Sequence, residues 1–466
     1  RLVLLTHESR QKIASDYKCE TVPTTAITLG IRNIMDSRRV ISMAWGDTNA
    51  STIFNVIENP VTTAVPASFL QQHSHARIVV DLPAADELTR ISHPWKVTSC
   101  EWNDKLIRRA IVWLCQMTGK VILKLTDKDY NDWGLGELLA LYGSAYNVNI
   151  KVFNELQHTI TGWPGGKPGA DDTYRPERST PYPKRVIIFS PHPDDDVISM
   201  GATFQRLVDQ KHDVHVAYET SGNIAVGDED MMRYFLMMDK IAPMFGFDTD
   251  SYKKLSEDVS GFVASKKSGD MDTSEIREIK TMIRQAEATI ADHYIGIPTD
   301  HIHFLRLPFY ETGAIKKGDL TERDVNIVKE LLEKVKPQQI FVAGDLADPH
   351  GTHRVCTDAV LAAIDELKDE VWMKDCRVWM YRGAWAEWEI ENIEMAVPIS
   401  PEELRAKRNS ILKHQSQMES APFLGNDERL FWQRSEDRNR GTATLYDKLG
   451  LASYEAMEAF VEYVPL

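Results

Sequence analysis

The chain has 466 residues and a formal net charge of −15, with 69 acidic against 54 basic side chains. That length exceeds one ordinary hydrophobic core and predicts two or three domains, while the acidic balance argues against binding a phosphate backbone, so DNA and RNA are set aside as partners. Five widely spaced cysteines (Cys19, Cys100, Cys115, Cys356, Cys376) form no C-x-x-C pair, which fits a reducing compartment without a disulfide framework or a Cys-type zinc finger. No run of about eighteen apolar residues occurs, and the opening RLVLLTHESR lacks the zones of a signal peptide, so a cytoplasmic protein without a membrane partner is expected. The chain opens at Arg1 rather than Met, which fits a fragment or a processed product of a longer polypeptide.

Residues 1–92 carry strand-like runs at 40–44 and 77–80 around a helix-compatible stretch at 50–57, one half of an α/β layer. Residues 93–160 read as a small α/β connector: EWNDKLIRRAIVWLCQ puts Leu106, Ala110, Trp113 and Leu114 on one helical face, and VILKL and NIKVF read as strands. Residues 161–184, rich in Gly and Pro, read as a linker and the main boundary. GWPGGK inside it lacks the spacing of a phosphate loop. From Arg185 the elements alternate: strands at 186–190, 213–219, 302–306 and 339–343, helices near 196–210, 229–246, 273–292 and 321–335. That order predicts a Rossmann-like, doubly wound α/β domain over 185–466.

Two loops carry the chemistry. VIIFSPHPDDDVISMGAT (186–203) places His192, Asp194, Asp195 and Asp196 on a strand-to-helix turn, and IFVAGDLADPHGTHRVCTDAV (340–360) places His350 and His353 on another. If both strands belong to one parallel sheet, both loops open on the same edge, where such sheets keep their sites. Imidazoles and carboxylates together suit zinc with three protein ligands and an open position for water. A further carboxylate is then free to take a proton from that water. The competing reading makes the three aspartates simple caps of the following helix and leaves the two histidines in a solvated loop.

His192-Pro193-Asp194-Asp195-Asp196, with Met200-Gly201 following and the later His-x-x-His loop, resembles the LmbE/PIG-L family of zinc-dependent N-acetylglucosamine deacetylases over roughly 185–420. The resemblance implies a Zn2+ cofactor held by His192, Asp195 and His353. It implies Asp194 as general base and His350 as transition-state stabiliser or acid, with Asp196 supporting the ligands. YETSGNIAVGDE, from Tyr218, corresponds to a segment lining the sugar pocket and offers Ser221 and Asn223; RQAEA offers Arg284, and KRNSILKHQSQM offers His414. The later loop departs from the family pattern, reading H-G-T-H where relatives carry H-P-D-H. Tyr381, Arg382, Trp385 and Trp388 form an aromatic and cationic patch that fits either a sugar ring or the core.

ITLGIRNIMDSRRVISMAWGDTNA (27–50) and ENPVTTAVPASFLQQHSHARIVVDLPAA resemble the C-terminal half of the glucosamine-6-phosphate deaminase/isomerase family, over roughly 1–92. The catalytic half of that family has no counterpart here, and the lysine of its G-x-x-K phosphate turn aligns with Asn49, so deaminase activity is not expected of this chain. The reading that follows is a metal-dependent amidohydrolase acting on a small amino sugar, free, phosphorylated or conjugated, in a monomer or a homo-oligomer. A catalytically silent amino-sugar-binding protein, or a fragment of a deaminase fusion, stays open at this point.

Overall fold

A computed structural model describes residues 2–6, 9–10, 13, 22–46, 49–170, 180–246, 249–267, 270–313, 317–344, 351–383, 386–418 and 429–464. The chain divides into two compact units, Arg1–Trp102 and Asn103–Leu466.

In the first unit β1 (Leu2–Leu4) pairs antiparallel with β2 (Thr25–Ile27), and β3 (Val40–Ala44) pairs parallel with β4 (Ala76–Val80). Helix α1 (Ala50–Ile57) buries Ala50, Ile53 and Val56, a helical repeat, and Ile53 packs with Ala85, Leu88, Ile78 and Val80. Strands and helix lie where the sequence places them.

The second unit opens with helices rather than with an α/β connector. Helix α2 (Asp104–Thr118) starts at Asn103, whose side chain accepts the Leu106 amide, and stops at Gly119 with φ 66°. Its buried stripe centres on Ile107, Ala110, Ile111 and Leu114, with Leu106 and Trp113 at its margin. The segment read as strand VILKL is a short 3-10 turn, Ile122–Lys124, caught between that glycine stop and the capping box of Thr126 and Asp129 that opens helix Asp127–Asp132. NIKVF lies inside α3 (Ala145–Thr159), where Val148, Val152 and Leu156 recur every four residues; five residues had shown too little of that period. These helices dock on the sheet domain: Arg109 Nε lies 2.8 Å from Glu391 Oε1, and Thr159 Oγ1 lies 2.8 Å from the Tyr446 hydroxyl. The main division therefore falls before Asn103 and not in the Gly/Pro-rich stretch. That stretch begins against the sheet, with Thr161 donating to the Ala396 carbonyl at 2.9 Å and Gln339 to the Pro164 carbonyl at 2.9 Å.

Seven strands form the central sheet: β5 (Arg185–Ser190), β6 (Asp213–Tyr218), β7 (Ile302–Phe304), β8 (Gln339–Ala343), β9 (Arg377–Tyr381), β10 (Met395–Ile399) and β11 (Ala456–Tyr463), in the order β10-β11-β9-β8-β5-β6-β7. From β9 to β7 the pairs are parallel; β11 joins β9 and β10 antiparallel. Alternate residues of β5 enter different cores. Val186 and Ile188 pack with α4 (Asp195–Asp209), and Ile187 and Phe189 with the helices flanking β8. Both faces are covered, so the strand reads as an unbroken apolar run. The chain leaves β5 through α4 to β6, and leaves β8 through a later helix to β9 on the opposite side. The order reverses between β5 and β8, and the crevice beyond their carboxyl ends is where doubly wound sheets bind ligands.

Candidate active site

The turn after β5 is held from several sides. The Ser190 hydroxyl donates to the His192 carbonyl at 2.6 Å and accepts the Asp196 amide at 3.1 Å. Asp194 sits at φ 143°, a conformation that side chains rarely adopt and that costs about 1–3 kcal/mol. Arg284, on α5 (Ser274–Ile295), holds it there: the guanidinium donates to the Pro193 carbonyl, and its Nη2 lies 3.3 Å from Asp194 Oδ1.

Helix α4 breaks one turn further on, at Met200 (φ −138°, ψ 25°). The freed amides of Ala202 and Thr203 donate to the Glu458 carboxylate at 3.1 and 2.7 Å. The freed carbonyls of Ile198 and Ser199 lie 3.3 Å from Arg438 Nη2, and the Ser435 hydroxyl donates to the first at 2.6 Å. Gly201 lets Lys407 lie against the break, since a Cβ there would come within 3.0 Å of the lysine chain. Met200-Gly201 thus marks a satisfied helix break that aims the acidic turn at the crevice.

In that crevice His192, Asp195 and His353 meet. Asp195 Oδ2 accepts the His192 amide at 2.9 Å, lies 3.1 Å from His192 Nδ1 and lies 3.2 Å from His353 Nε2. One ligand atom from each residue lies within 4.8 Å of the others. His353 comes from the first turn of α6 (Thr352–Leu367), the helix after β8. Two imidazoles and a carboxylate converging on one spot are the donor set of a divalent transition metal, and these residues fit Zn2+. Burial pushes the His192 pKa down, against the pull of Asp195, which keeps a lone pair available. Burial raises the Asp195 carboxyl, but His353 and His192 outweigh it and hold the group well below its ordinary range.

Asp194 has the opposite balance. Burial pushes its pKa up to about 7, Arg284 pulls it down, and Asp195 and Asp196 push it up again, so it exchanges protons near neutrality. Asp196 turns inward: Tyr218 donates to its Oδ2 at 3.2 Å and lies 3.0 Å from Asp292 Oδ2, and burial lifts Asp196 to about 6. It reaches the His192 backbone through Ser190. Glu219, just past β6 and also buried, is pushed up to about 8 by burial, with His353 pulling the other way.

Arg284, Ser221, Asn223 and His414 are all buried. Asn223 donates to Thr281 Oγ1 at 3.2 Å. The Ser221 hydroxyl, Arg284 Nε and Nη1, and both His414 ring nitrogens have no hydrogen-bond partner among the described residues. Burial and the Arg284 charge push His414 down to about 3, so its ring is neutral. The RQAEA and KRNSILKHQSQM segments lock together, because Glu287 accepts the Ser416 amide and hydroxyl, each at 2.7 Å. Arg382 lies 4.3 Å over the Trp388 ring, and Tyr381 donates to the Phe189 carbonyl at 2.6 Å, so three members of the aromatic and cationic patch act in the framework. His350 and Trp385 lie outside the described residues. Tyr218, Glu219 and Asp292 were missed in the sequence. Asp292 had a signal: it follows Arg284 and Ala288 at four-residue spacing on the buried face of α5.

In the first unit, the Gly46 amide lies 3.1 Å from both Asp81 carboxylate oxygens, and Asn49 donates to the Trp45 carbonyl at 2.6 Å. A carboxylate therefore lies against the Gly46 amide.

The fold and the two loops define an α/β protein with a PIG-L domain: the family model described as GlcNAc-PI de-N-acetylase matches residues 187–364. A glucosamine-6-phosphate deaminase-like protein of Bacteroides thetaiotaomicron is 66% identical over 471 residues, spanning 100% of this chain and 71% of that protein, and the chain belongs to its family. Glucosamine-6-phosphate deaminase of Lactobacillus helveticus is 48% identical over 69 residues, 15% of this chain and 29% of that enzyme. The chain thus spans less than a third of that deaminase. Among solved structures, N,N'-diacetylchitobiose deacetylase of Pyrococcus horikoshii aligns with 63% of this chain and 87% of its own at 16% identity, with a TM-score of 0.41. Among the described residues no helix is long and apolar enough to cross a membrane.

Proposed function

We propose that this chain hydrolyses the N-acetyl group of an N-acetylglucosamine-type amino sugar, free, phosphorylated or conjugated, with His192, Asp195 and His353 as ligands of a zinc ion. The observation that carries the reading is the meeting of these three side chains at the sheet's switch point, beside a buried and strained Asp194. When bound, Zn2+ supplies Lewis-acid polarisation and lowers the pKa of water.

The remaining steps belong to the chain's own residues. Asp194 takes a proton from the attacking water as the water oxygen bonds to the acetyl carbon. It returns that proton to the departing nitrogen as the C–N bond breaks, leaving acetate and a free amine. Arg284 orients Asp194 and keeps its ionised form accessible. His350 is assigned to the developing oxyanion. The unpaired donors of Ser221 and Arg284 suit sugar hydroxyls or a phosphate oxygen. The family description, GlcNAc-PI de-N-acetylase, supports the substrate class.

The test is an acetate-release assay on zinc-loaded protein over N-acetylglucosamine, its 6-phosphate and its glycosides. Release that disappears in Asp194→Asn supports the reading; no release from any of these by a zinc-loaded protein refutes it.

A further inference from the structure

A second group of metal-ligand side chains lies at the other end of the sheet. Asp213 opens β6, His215 follows two residues later on the same face, and His301 and His303 flank the start of β7 on that face. The active-site crevice lies past the far ends of these strands, so six-residue β6 separates the two places by roughly 20 Å.

We propose that Asp213, His215 and His301 form a second site for a divalent transition metal, Zn2+ in the first instance, with His303 supporting His215 from behind. One ligand atom from each of the three lies within 4.8 Å of the others. Asp213 Oδ1 lies 3.7 Å from His215 Nε2 and 3.5 Å from His301 Nδ1. The His215 and His301 rings stack nearly parallel, at 14°, so one ring turns about its side-chain bonds before in-plane lone pairs from both meet on one ion, whose bonds to nitrogen and oxygen are about 2.0–2.2 Å. His215 Nδ1 lies 3.0 Å from His303 Nε2, so one ring nitrogen faces the ligand cluster while the other is fixed by a hydrogen bond, the arrangement that orients metal-binding histidines. His301 Nδ1 also lies 3.1 Å from the Val214 carbonyl, so coordination through that nitrogen exchanges a hydrogen bond for a metal bond.

Burial disfavours a proton on His215 and on His303. The His215 and His301 rings stack at 4.0 Å and the His215 and His303 rings at 5.3 Å, an arrangement that protonation would turn into repulsion. Burial pushes His215 and His303 down to about 4, with His301 adding to both. Lys334 presses in the same direction, and Asp300 opposes it at His303. Asp213 is 45% exposed in its side chain, which leaves a way in for the ion and water. The site ties edge strand β7 to β6. The chain beyond β7 then runs through Leu307, whose amide donates to the Glu219 backbone carbonyl at 2.8 Å, to Tyr310 beside His192.

The experiment uses the full chain incubated with ZnCl2 and freed of loose metal, with zinc per protein read by elemental mass spectrometry. In a His192→Ala/His353→Ala background the proposal predicts about one remaining zinc equivalent, which His215→Ala/His301→Ala removes. Because the crevice ligands are absent from that background, this outcome is separate from the fate of the proposed deacetylase site. His303→Ala keeps all three ligands and is expected to weaken the remaining zinc by about 10–100-fold in a competition titration with a fluorescent chelator, which covers the case of a ligand variant that does not fold. No bound zinc in the background variant, or zinc that neither His215→Ala/His301→Ala nor His303→Ala weakens, overturns the proposal.

Discussion

Replacing Glu458 with Gln tests whether the break in α4 is held from outside the helix. The carboxylate receives Lys407 Nζ at 2.7 Å as well as the Ala202 and Thr203 amides at 3.1 and 2.7 Å, and the Lys407 and Glu458 side chains are both 0% exposed. Removing one member of a buried pair costs about 3–5 kcal/mol, because the other charge is left in a place without water. Glutamine keeps one oxygen for an amide, and Asn439 still accepts from Lys407 at 2.8 Å, so about 3 kcal/mol is expected. Burial already pushes the Lys407 pKa down against the pull of Glu458, so the stranded amine can shed its proton, which limits the loss. At roughly 2–4 °C per kcal/mol the melting temperature falls by about 6–12 °C. Thermal and urea unfolding of the zinc-loaded protein measure this, with Lys407→Met/Glu458→Gln as the second arm. The double variant, with no stranded charge, is expected to be more stable than Glu458→Gln alone. A single variant within about 1 kcal/mol of the parent, or a double variant weaker than the single, refutes the reasoning.

Asp194→Asn is expected to lower acetate release about 10²–10⁴-fold while zinc content stays unchanged, read by kinetics and elemental analysis on the same preparation. Asp194 must be ionised to act as base, and its carboxyl is raised to about 7, so kcat/KM is expected to rise with pH along an acid limb centred at or below that value, since a bound cation pulls it down. An acid limb centred well above it contradicts the assignment. Glu219 is raised from 4.5 to about 8, so it favours the folded state below 4.5 and loses that contribution as pH climbs through about 8. In chelator, Glu219→Gln should therefore gain melting temperature over the parent progressively across that window, and a constant difference at all pH values argues against a buried neutral acid. Tyr218→Phe strips the hydroxyl shared by Asp196 and Asp292 and is expected to cost about 1–3 kcal/mol by urea unfolding.

The parallel core of the sheet was legible because β5, β6 and β8 are short apolar runs bounded by polar turns, and the helices between them carry a clear period. Both loops of the crevice could be placed on one edge from that alternation alone. The helices of 103–159 were misread where short apolar windows, VILKL and NIKVF, outweighed the caps at Gly119, Thr126 and Ser144 that decide the local structure. The division before Asn103 was hidden because it rests on contacts such as Arg109 with Glu391, 282 positions apart. The reason for Met200-Gly201 was equally out of reach. Its partners, Ser435, Arg438 and Glu458, lie more than two hundred residues later and have nothing in their own surroundings to mark them. The Asp196–Tyr218–Asp292 chain was half visible, since a carboxylate on the apolar face of α5 requires a partner but does not name one.

The most direct test of the central claim is acetate released from N-acetylglucosamine derivatives by the zinc-loaded chain and by Asp194→Asn carrying the same zinc. The account predicts equimolar acetate and amine from the parent and at least about a hundredfold less from the variant. Equal release from both, or none from either while both hold zinc, would contradict it.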